Sequence, residues 1–412
     1  MNKEDKQVQL KNYNRRSVLN YIRKNKTATK AGLASATGLT FMAIKKILEE
    51  LEELGLIRCD EMEKVSVGRR ALTYAINESY RYTIGVHINK FVTSIALMDL
   101  RGNILASERC GKAQEFQSQS SFVDTIVEKI EKLIRETGIE REKLLGIGVG
   151  APGPIDMENR VILTPPNMSL LNYLPLAEVL ERRLGCQVHL YKDTNAIAFG
   201  EYWDGEGTDK SNLIYIDVDM GIGSGFIVDG RINVGANGIA GEFGHITIDM
   251  NGPLCNCGNR GCLEAMSSGI AVLRELSQQL NYDENHPLYE KKDNLAIEDV
   301  FDMAEKKDLL TLSILNRSAH YMGVAVSNLI NILDPDIIIM GGIMIQNYPR
   351  YFSIVQSVAN TRKVKGAKEN VMRISSLNGN AGVIGAGEIV ADNFFNQGIN
   401  EVFLKHQGDG RE

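Results

Sequence analysis

The chain has 412 residues, 24% charged and 43% hydrophobic, the make-up of a globular protein with room for two or three domains. No apolar run approaches the ~20 residues a membrane helix needs and no secretory leader pattern opens the chain, so neither a membrane span nor export is expected. The net charge of -6 hides an asymmetry: residues 1–77 carry +6 and the rest -12, so only the first segment is suited to a polyanion.

That basic head reads as helices. In "NRRSVLNYIRKNK", Val18, Leu19 and Ile22 form one apolar face, and Leu33 with Ala34 begins a second, short helix. Gly38 breaks the chain, and Ile44, Ile47, Leu48 and Leu51 make a third apolar stripe. Two short helices around a Gly-containing turn match a helix-turn-helix. Thr40 would cap the recognition helix, which offers Phe41, Met42, Lys45 and Lys46 to a major groove. The acidic second half of that helix, "EELEEL", should face away from phosphates. Two β-like runs, "LIRCDE" and "ALTYAI", then flank "MEKVSVGRR" as a wing, with Arg69 and Arg70 placed to reach the backbone or a minor groove.

The acidic body contains two similar stretches. Residues 82–105 and 213–234 both read as strand, turn, strand, tight turn, strand, which suggests two α/β lobes facing each other across a cleft. The second stretch has Gly221, Gly223 and Gly225 near its turn, where backbone N–H groups could cradle an anion. The first has His87-Ile88-Asn89-Lys90 at that point, with no glycine after Gly85. Between them, "LLGIGVGAPGPID" is a buried strand entering a Gly/Pro turn, and Val188–Tyr191 is a short strand with Asp193 and Asn195 at its C-terminal end. Ligand groups in open α/β sheets gather at such ends. Further on, "NILDPDIIIMGGIM" gives a helix end, a buried strand and a Gly-Gly turn, and the charged region around 280–310 reads as an exposed helical excursion.

Three of the six cysteines, Cys255, Cys257 and Cys262, fall within eight residues, and His245 lies ten positions before the first. Cys59, Cys110 and Cys186 are scattered singly, which points to a reducing cytoplasm rather than a disulfide framework. Three thiolates and an imidazole complete a tetrahedral zinc site with no vacancy, hence a structural one. Gly258 and Gly261 permit the tight knuckle. Such a metal would also pin Glu242 and Glu264 near His245, and rigid carboxylates suit acceptance of hydrogen bonds from vicinal hydroxyls.

"GEFGH" followed by "CNCGNRGCLE", together with "GVGAPGPID", "TPPN", "KDTNAIAFGE" and "DPDIIIMGG", resembles the ROK family of repressors, open reading frames and kinases, over about residues 80–395. The resemblance implies an α/β protein: an N-terminal winged helix-turn-helix followed by a two-lobed actin-like, ribonuclease-H-like body. Its domains would be the head at 1–77, a first lobe at 78–190 with the helix around 380–395 packing back on it, and a second lobe at 191–380 holding the zinc knuckle. The resemblance further implies zinc at His245, Cys255, Cys257 and Cys262, and a sugar site built from Asn167, Asp193, Glu242, His245 and Glu264. Asp193 occupies the position of the kinases' general base.

The departures from the family pattern guide the functional reading. Family kinases carry Asp-x-Gly-Gly-Thr in the first phosphate loop, where this chain has His87 and Asn89-Lys90; the second loop has Asp219-Met220-Gly221 in place of Gly-Thr-Gly. A carboxylate beside phosphates is repulsive. "KDTN" for the usual "NDAN" sets Lys192 beside Asp193, which favours the ionised carboxylate. The expectation is therefore no catalytic residue and no enzyme, but a regulator, a repressor of carbohydrate uptake or catabolism genes. Its partners would be operator double-stranded DNA, a sugar or sugar phosphate effector, and its own copies in a homodimer or dimer of dimers. The alternative is a ROK-type ATP-dependent sugar kinase with an added DNA-binding domain.

Overall fold

The computed structural model describes residues 3–63, 71–367, 369, 371–377 and 379–409. Its first elements are α1 (Lys3–Asn25), β1 (Thr27–Thr29), α2 (Lys30–Thr37) and α3 (Phe41–Glu53). The Thr29 hydroxyl caps α2 by accepting from the Gly32 N–H at 3.1 Å. Gly38 ends that helix at φ 69°, a left-handed conformation that side chains disfavour. Strands β2 (Ile57–Glu63) and β3 (Ala71–Ile76) pair antiparallel and join β1 in a sheet ordered β1-β3-β2. Helix-turn-helix and wing strands are thus both present. Their core holds Val18, Leu19, Ile22, Leu33, Ile44, Leu48 and Leu51, the positions the helical period marks.

The next elements are β4 (Tyr82–Ile88), β5 (Thr93–Asp99), β6 (Ile104–Cys110), α4 (Gln119–Thr137) and β7 (Leu144–Ala151). A ribbon of β8 (Ile155–Asp156) and β9 (Val161–Ile162) follows, then α5 (Leu176–Leu184) and β10 (Val188–Lys192). The sheet runs β6-β5-β4-β7-β10. After α6 (Asp193–Asp204) the pattern repeats with β11 (Leu213–Val218), β12 (Ile222–Val228) and β13 (Arg231–Ile232). Helices α7 (Leu263–Ser267), α8 (Gly269–Leu280), α9 (Ile297–Glu305) and α10 (Leu309–Leu333) lead to β14 (Ile337–Gly341). Then come α11 (Ile343–Asn347), α12 (Pro349–Arg362) and β15 (Met372–Ile374), and this sheet runs β13-β12-β11-β14-β15. Both sheets therefore have strand order 3-2-1-4-5, antiparallel through the first three strands and parallel thereafter. The duplication suggested by the two hairpin stretches is a duplication of whole sheets. One detail differs: β12 begins at Ile222, so only Gly221 of the three glycines lies in the turn, and Gly223 and Gly225 are strand residues.

The chain closes with α13 (Ala381–Asn393), a π-helical turn at Phe394–Gly398, and α14 (Ile399–Asp409). Two units result: Met1–Ala196 with Gly382–Glu412, and Ile197–Ala381. Within the first, α13 lies so close on the sheet that a Cβ on Gly85 would strike the Val383 carbonyl and one on Gly148 the Ala386 carbonyl. Phe395, Ile399 and Phe403 then enter the core of the head, so the chain's last helices bind the head and the first sheet together.

Candidate functional site

In the second unit, a 3-10 turn at Phe243–His245 and the segment up to α7 form the knuckle. Backbone pairs Ile248 N–H to Gly261 C=O (2.8 Å) and Leu263 N–H to Ile246 C=O (2.9 Å) bring His245 back beside the cysteines. The Cys255 N–H donates to the Asn259 carbonyl at 2.8 Å, closing the loop that presents Cys257. Gly261 has φ 65°, and a Cβ there would collide with the Asp249 carbonyl, so this glycine is required twice over. The ligand atoms of His245, Cys255, Cys257 and Cys262 all lie within 4.8 Å of one another. His245 Nδ1 is 3.7 Å from Cys255 Sγ, and Cys257 Sγ is 3.6 Å from Cys262 Sγ. Tetrahedral zinc with bonds near 2.3 Å to sulfur sets ligand sulfurs about 3.8 Å apart, so the donor set fits. Burial, reinforced by the neighbouring thiols, pushes the Cys262 thiol up to about 12, and burial is the largest cause raising that of Cys255; a divalent cation would supply the charge that makes thiolates stable there.

His245 uses its two nitrogens differently. Nδ1 faces Cys255, while Nε2 is 3.8 Å from the Glu242 carboxylate. Glu242 is exposed. Glu264, in the first turn of α7, accepts the Ile222 N–H on Oε2 at 3.0 Å.

In the first unit, Asp193 opens α6 directly after β10 and accepts the Thr194 N–H at 2.7 Å. Asn195, one residue further, is 3% exposed and its Oδ1 has no hydrogen-bond partner among the described residues. Asn167 is exposed with φ 58°; its carbonyl accepts from Gln114 Nε2 at 2.9 Å, and the 3-10 turn that follows has no side-chain cap. Its amide is thus not spent on capping.

The β4–β5 and β11–β12 turns, where the sequence departs from the kinase pattern, are each filled from within. At the β4–β5 turn, Asn89 Oδ1 accepts both the Phe91 N–H (2.8 Å) and the Val92 N–H (2.9 Å). His87 is 5% exposed, its ring packs against Gly382, and Nε2 has no hydrogen-bond partner among the described residues. Burial alone lowers its pKa to about 4, so the imidazole is neutral. At the β11–β12 turn, Asp219 Oδ1 accepts the Met220 N–H at 2.7 Å and Glu264 takes the Ile222 N–H. Phosphate cradles need those N–H groups outward and free. The lack of glycines at the first turn is legible in the sequence, whereas the consumption of donors by Asn89 and Glu264 is not. An Asn two residues before a turn N–H is only a local hint of the first.

In the head, the Thr40 hydroxyl caps α3 by accepting from the Ala43 N–H at 3.2 Å. Phe41 is 59% and Met42 73% exposed, and Lys45 and Lys46 are exposed beside them. The acidic half of α3 is partly neutralised: Arg15 donates to Glu50 Oε2 from Nε (2.8 Å) and Nη2 (2.6 Å), and Lys11 approaches its other oxygen at 3.1 Å. Those partners hold the Glu50 carboxyl below its usual range against the opposing effect of burial. Arg69 and Arg70 lie outside the described residues.

A helix-turn-helix with wing strands, joined to a body made of one α/β topology used twice, defines a DNA-binding protein on a duplicated ligand-binding scaffold. Residues 11–58 match the winged helix-turn-helix DNA-binding family and residues 83–393 the ROK family. The chain belongs to the ROK family. It is 29% identical over 389 residues to the xylose repressor of Bacillus spizizenii, covering 94% of this chain and 97% of that one. It is 32% identical over 324 residues to the glucokinase of Halalkalibacterium halodurans, covering 76% and 96% respectively. A solved ROK family transcriptional regulator, a homologue of the E. coli Mlc protein, has TM-score 0.76 at 24% identity and covers 95% of this chain and 99% of its own.

Proposed function

We propose that this protein is a sugar-responsive transcriptional repressor and that it does not phosphorylate sugars. The observation that carries this over the kinase reading is the pair of self-satisfied turns: Asn89 and Glu264 occupy backbone donors that a nucleotide's phosphates would need. The head at 1–77 reads operator DNA through Phe41, Met42, Lys45 and Lys46 on α3, with Thr40 fixing the helix start and Arg69 and Arg70 gripping from the wing. Apolar Phe41 and Met42 suit thymine methyls, hence A/T-rich half-sites. The first lobe, placed at 78–190, would contribute Asn167, the second, at 191–380, Glu242, His245 and Glu264, and Asp193, which packs with the first unit, would complete the donors and acceptors for a sugar or sugar phosphate.

Zinc held by His245, Cys255, Cys257 and Cys262 would be structural, four protein ligands leaving no open position. With Nδ1 on the metal, the remaining nitrogen of His245 keeps a fixed tautomer toward Glu242 and the sugar. One short recognition helix makes few base contacts, so the working form is a homodimer or a dimer of dimers reading a two-fold site. No helix among the described residues is long and apolar enough to cross a membrane; with scattered single cysteines this supports a cytoplasmic setting.

The test is reciprocal titration. If sugar lowers operator affinity, operator must lower sugar affinity by the same factor. Equal sugar dissociation constants with and without operator would remove the allosteric reading, and tighter binding on DNA would make the protein a corepressed regulator. Sustained ATP-dependent sugar phosphorylation that disappears in Asp193→Ala would establish the kinase instead.

A further inference from the structure

Helix α1 carries two charged grips, one at its middle and one near its C-terminal end. At its middle, Arg15 is 2% exposed in its side chain, holds Glu50 of the recognition helix, and lies with Cζ 4.9 Å from the Phe403 ring centre. Two turns on, Arg23 is 4% exposed, pairs with Glu388 Oε2, itself 5% exposed, and reaches Asp392 Oδ1 at 3.2 Å, both on α13. Its Cζ is 4.9 Å from the Phe395 ring centre. A buried arginine and glutamate and an aromatic face thus meet in a joint between the head and α13, with the partly exposed Asp392 at its rim.

The other side of α13 is not free to slide. Glycine-on-carbonyl contacts at Gly85 and Gly148 seat it on β4 and β7, and the Met98 side chain of β5 packs over Gly387. At its start, Gly382 lies under the His87 ring at the end of β4. Strand β7 pairs in parallel with β10, which runs into Asp193. The sheet ends near Asp193 and the carboxylates that hold Arg23 are therefore parts of one close-packed body, and packed bodies shift as pieces rather than deform.

We propose that the Arg23–Glu388–Asp392 joint is the positioning contact that makes the DNA-binding head move with the first sheet, and so transmits effector binding to the recognition helix. Phe395, Ile399 and Phe403 bury apolar surface with the head, but apolar contact is non-directional and tolerates sliding. A buried charged fork fixes one register, because any slip leaves an arginine or a glutamate unpaired in a dry interface. Arg23 fixes the head to the body and Arg15 fixes α3 to the same helix. This inference rests on the sugar-responsive reading only for its functional consequence; the mechanical coupling is testable without any ligand.

The experiment is hydrogen exchange on the full chain, comparing wild type with Glu388→Gln/Asp392→Asn. The expected result is about tenfold or greater acceleration of amides in α1 and α3, with β4 and β7 as protected as before. Arg23→Lys, which keeps the charge and loses the fork, should fall between the two, and it carries the comparison if the double variant also loses sheet protection. Arg16→Ala removes a bond from the same interface, to the Asn396 carbonyl at 2.8 Å, and should leave α1 near wild type. Unchanged α1 exchange in the double variant and in Arg23→Lys would overturn the proposal, as would an equal loss in Arg16→Ala. D-xylose, D-glucose and N-acetylglucosamine 6-phosphate are then added separately. A sugar that raises the melting temperature of both proteins but alters α1 exchange only in wild type is the expected outcome; equal alteration in both refutes transmission through the joint. If none of the three shifts either melting curve, the reading of these sugars as effectors fails, while the ligand-free comparison still decides the coupling.

Discussion

Mild acid should weaken this protein, chiefly through His87. The imidazole sits on β4 against Gly382, 5% exposed, and burial lowers its pKa from 6.5 to about 4. The folded state therefore resists the proton that the unfolded chain accepts. The stability at stake is intact above the unfolded value of 6.5 and is lost progressively as the pH falls toward 4, where the folded form also protonates. Between about pH 7 and about pH 5 the unfolded side chain becomes almost fully charged while about a tenth of the folded one does, a loss of about 2 kcal/mol. Urea unfolding of wild type and His87→Asn at the two pH values measures it. The variant has its own packing defect, so the relevant quantity is each protein's change between the two pH values. Wild type should lose about 2 kcal/mol more than the variant. Identical losses, or an imidazole NMR titration in the folded protein centred near 6.5, would refute the reasoning, and with it the picture of a neutral ring filling the place of a phosphate-loop aspartate.

Three other expectations are as direct. Cys257→Ser should lose zinc, read by elemental analysis, and sugar response together, because Glu242 and Glu264 flank the same knuckle; metal-free protein with full sugar binding would contradict this. Asp193→Ala and Glu242→Ala should each weaken sugar binding by ~2–3 kcal/mol, about 30- to 150-fold, with operator affinity near normal, so that repression persists at sugar concentrations that induce wild type. Operator binding should weaken steeply with salt, and Lys45→Ala or Lys46→Ala should each lower the logarithmic salt slope by about 1 per lost phosphate contact in each head.

The elements that the sequence alone determined are those whose cause lies within a few residues. The head is one: the 3.6-residue apolar period, the Thr40 cap and the left-handed Gly38 act over single turns, and the structure has each of them in place. The knuckle is another, since the Cys-x-Cys spacing and Gly261 shape a loop whose ligand atoms converge within 4.8 Å. The strand pattern of the two repeats was equally visible, because alternation and turn chemistry are local.

What tertiary structure decided is every property that depends on a distant partner. Nothing near Glu264 in sequence indicates that it accepts the Ile222 N–H, 42 positions away, and thereby occupies a backbone donor at the start of β12. Glu388 and Asp392 look like ordinary surface carboxylates of a helix until α13, laid on the sheet by bare glycines at Gly85 and Gly148, meets α1. Arg23 reads as one more cation of a basic head, yet it is buried 365 positions from its acidic partner and is not available to DNA. A charge's role follows from the dielectric and the partners around it, and both are set only when the chain's two ends share one core.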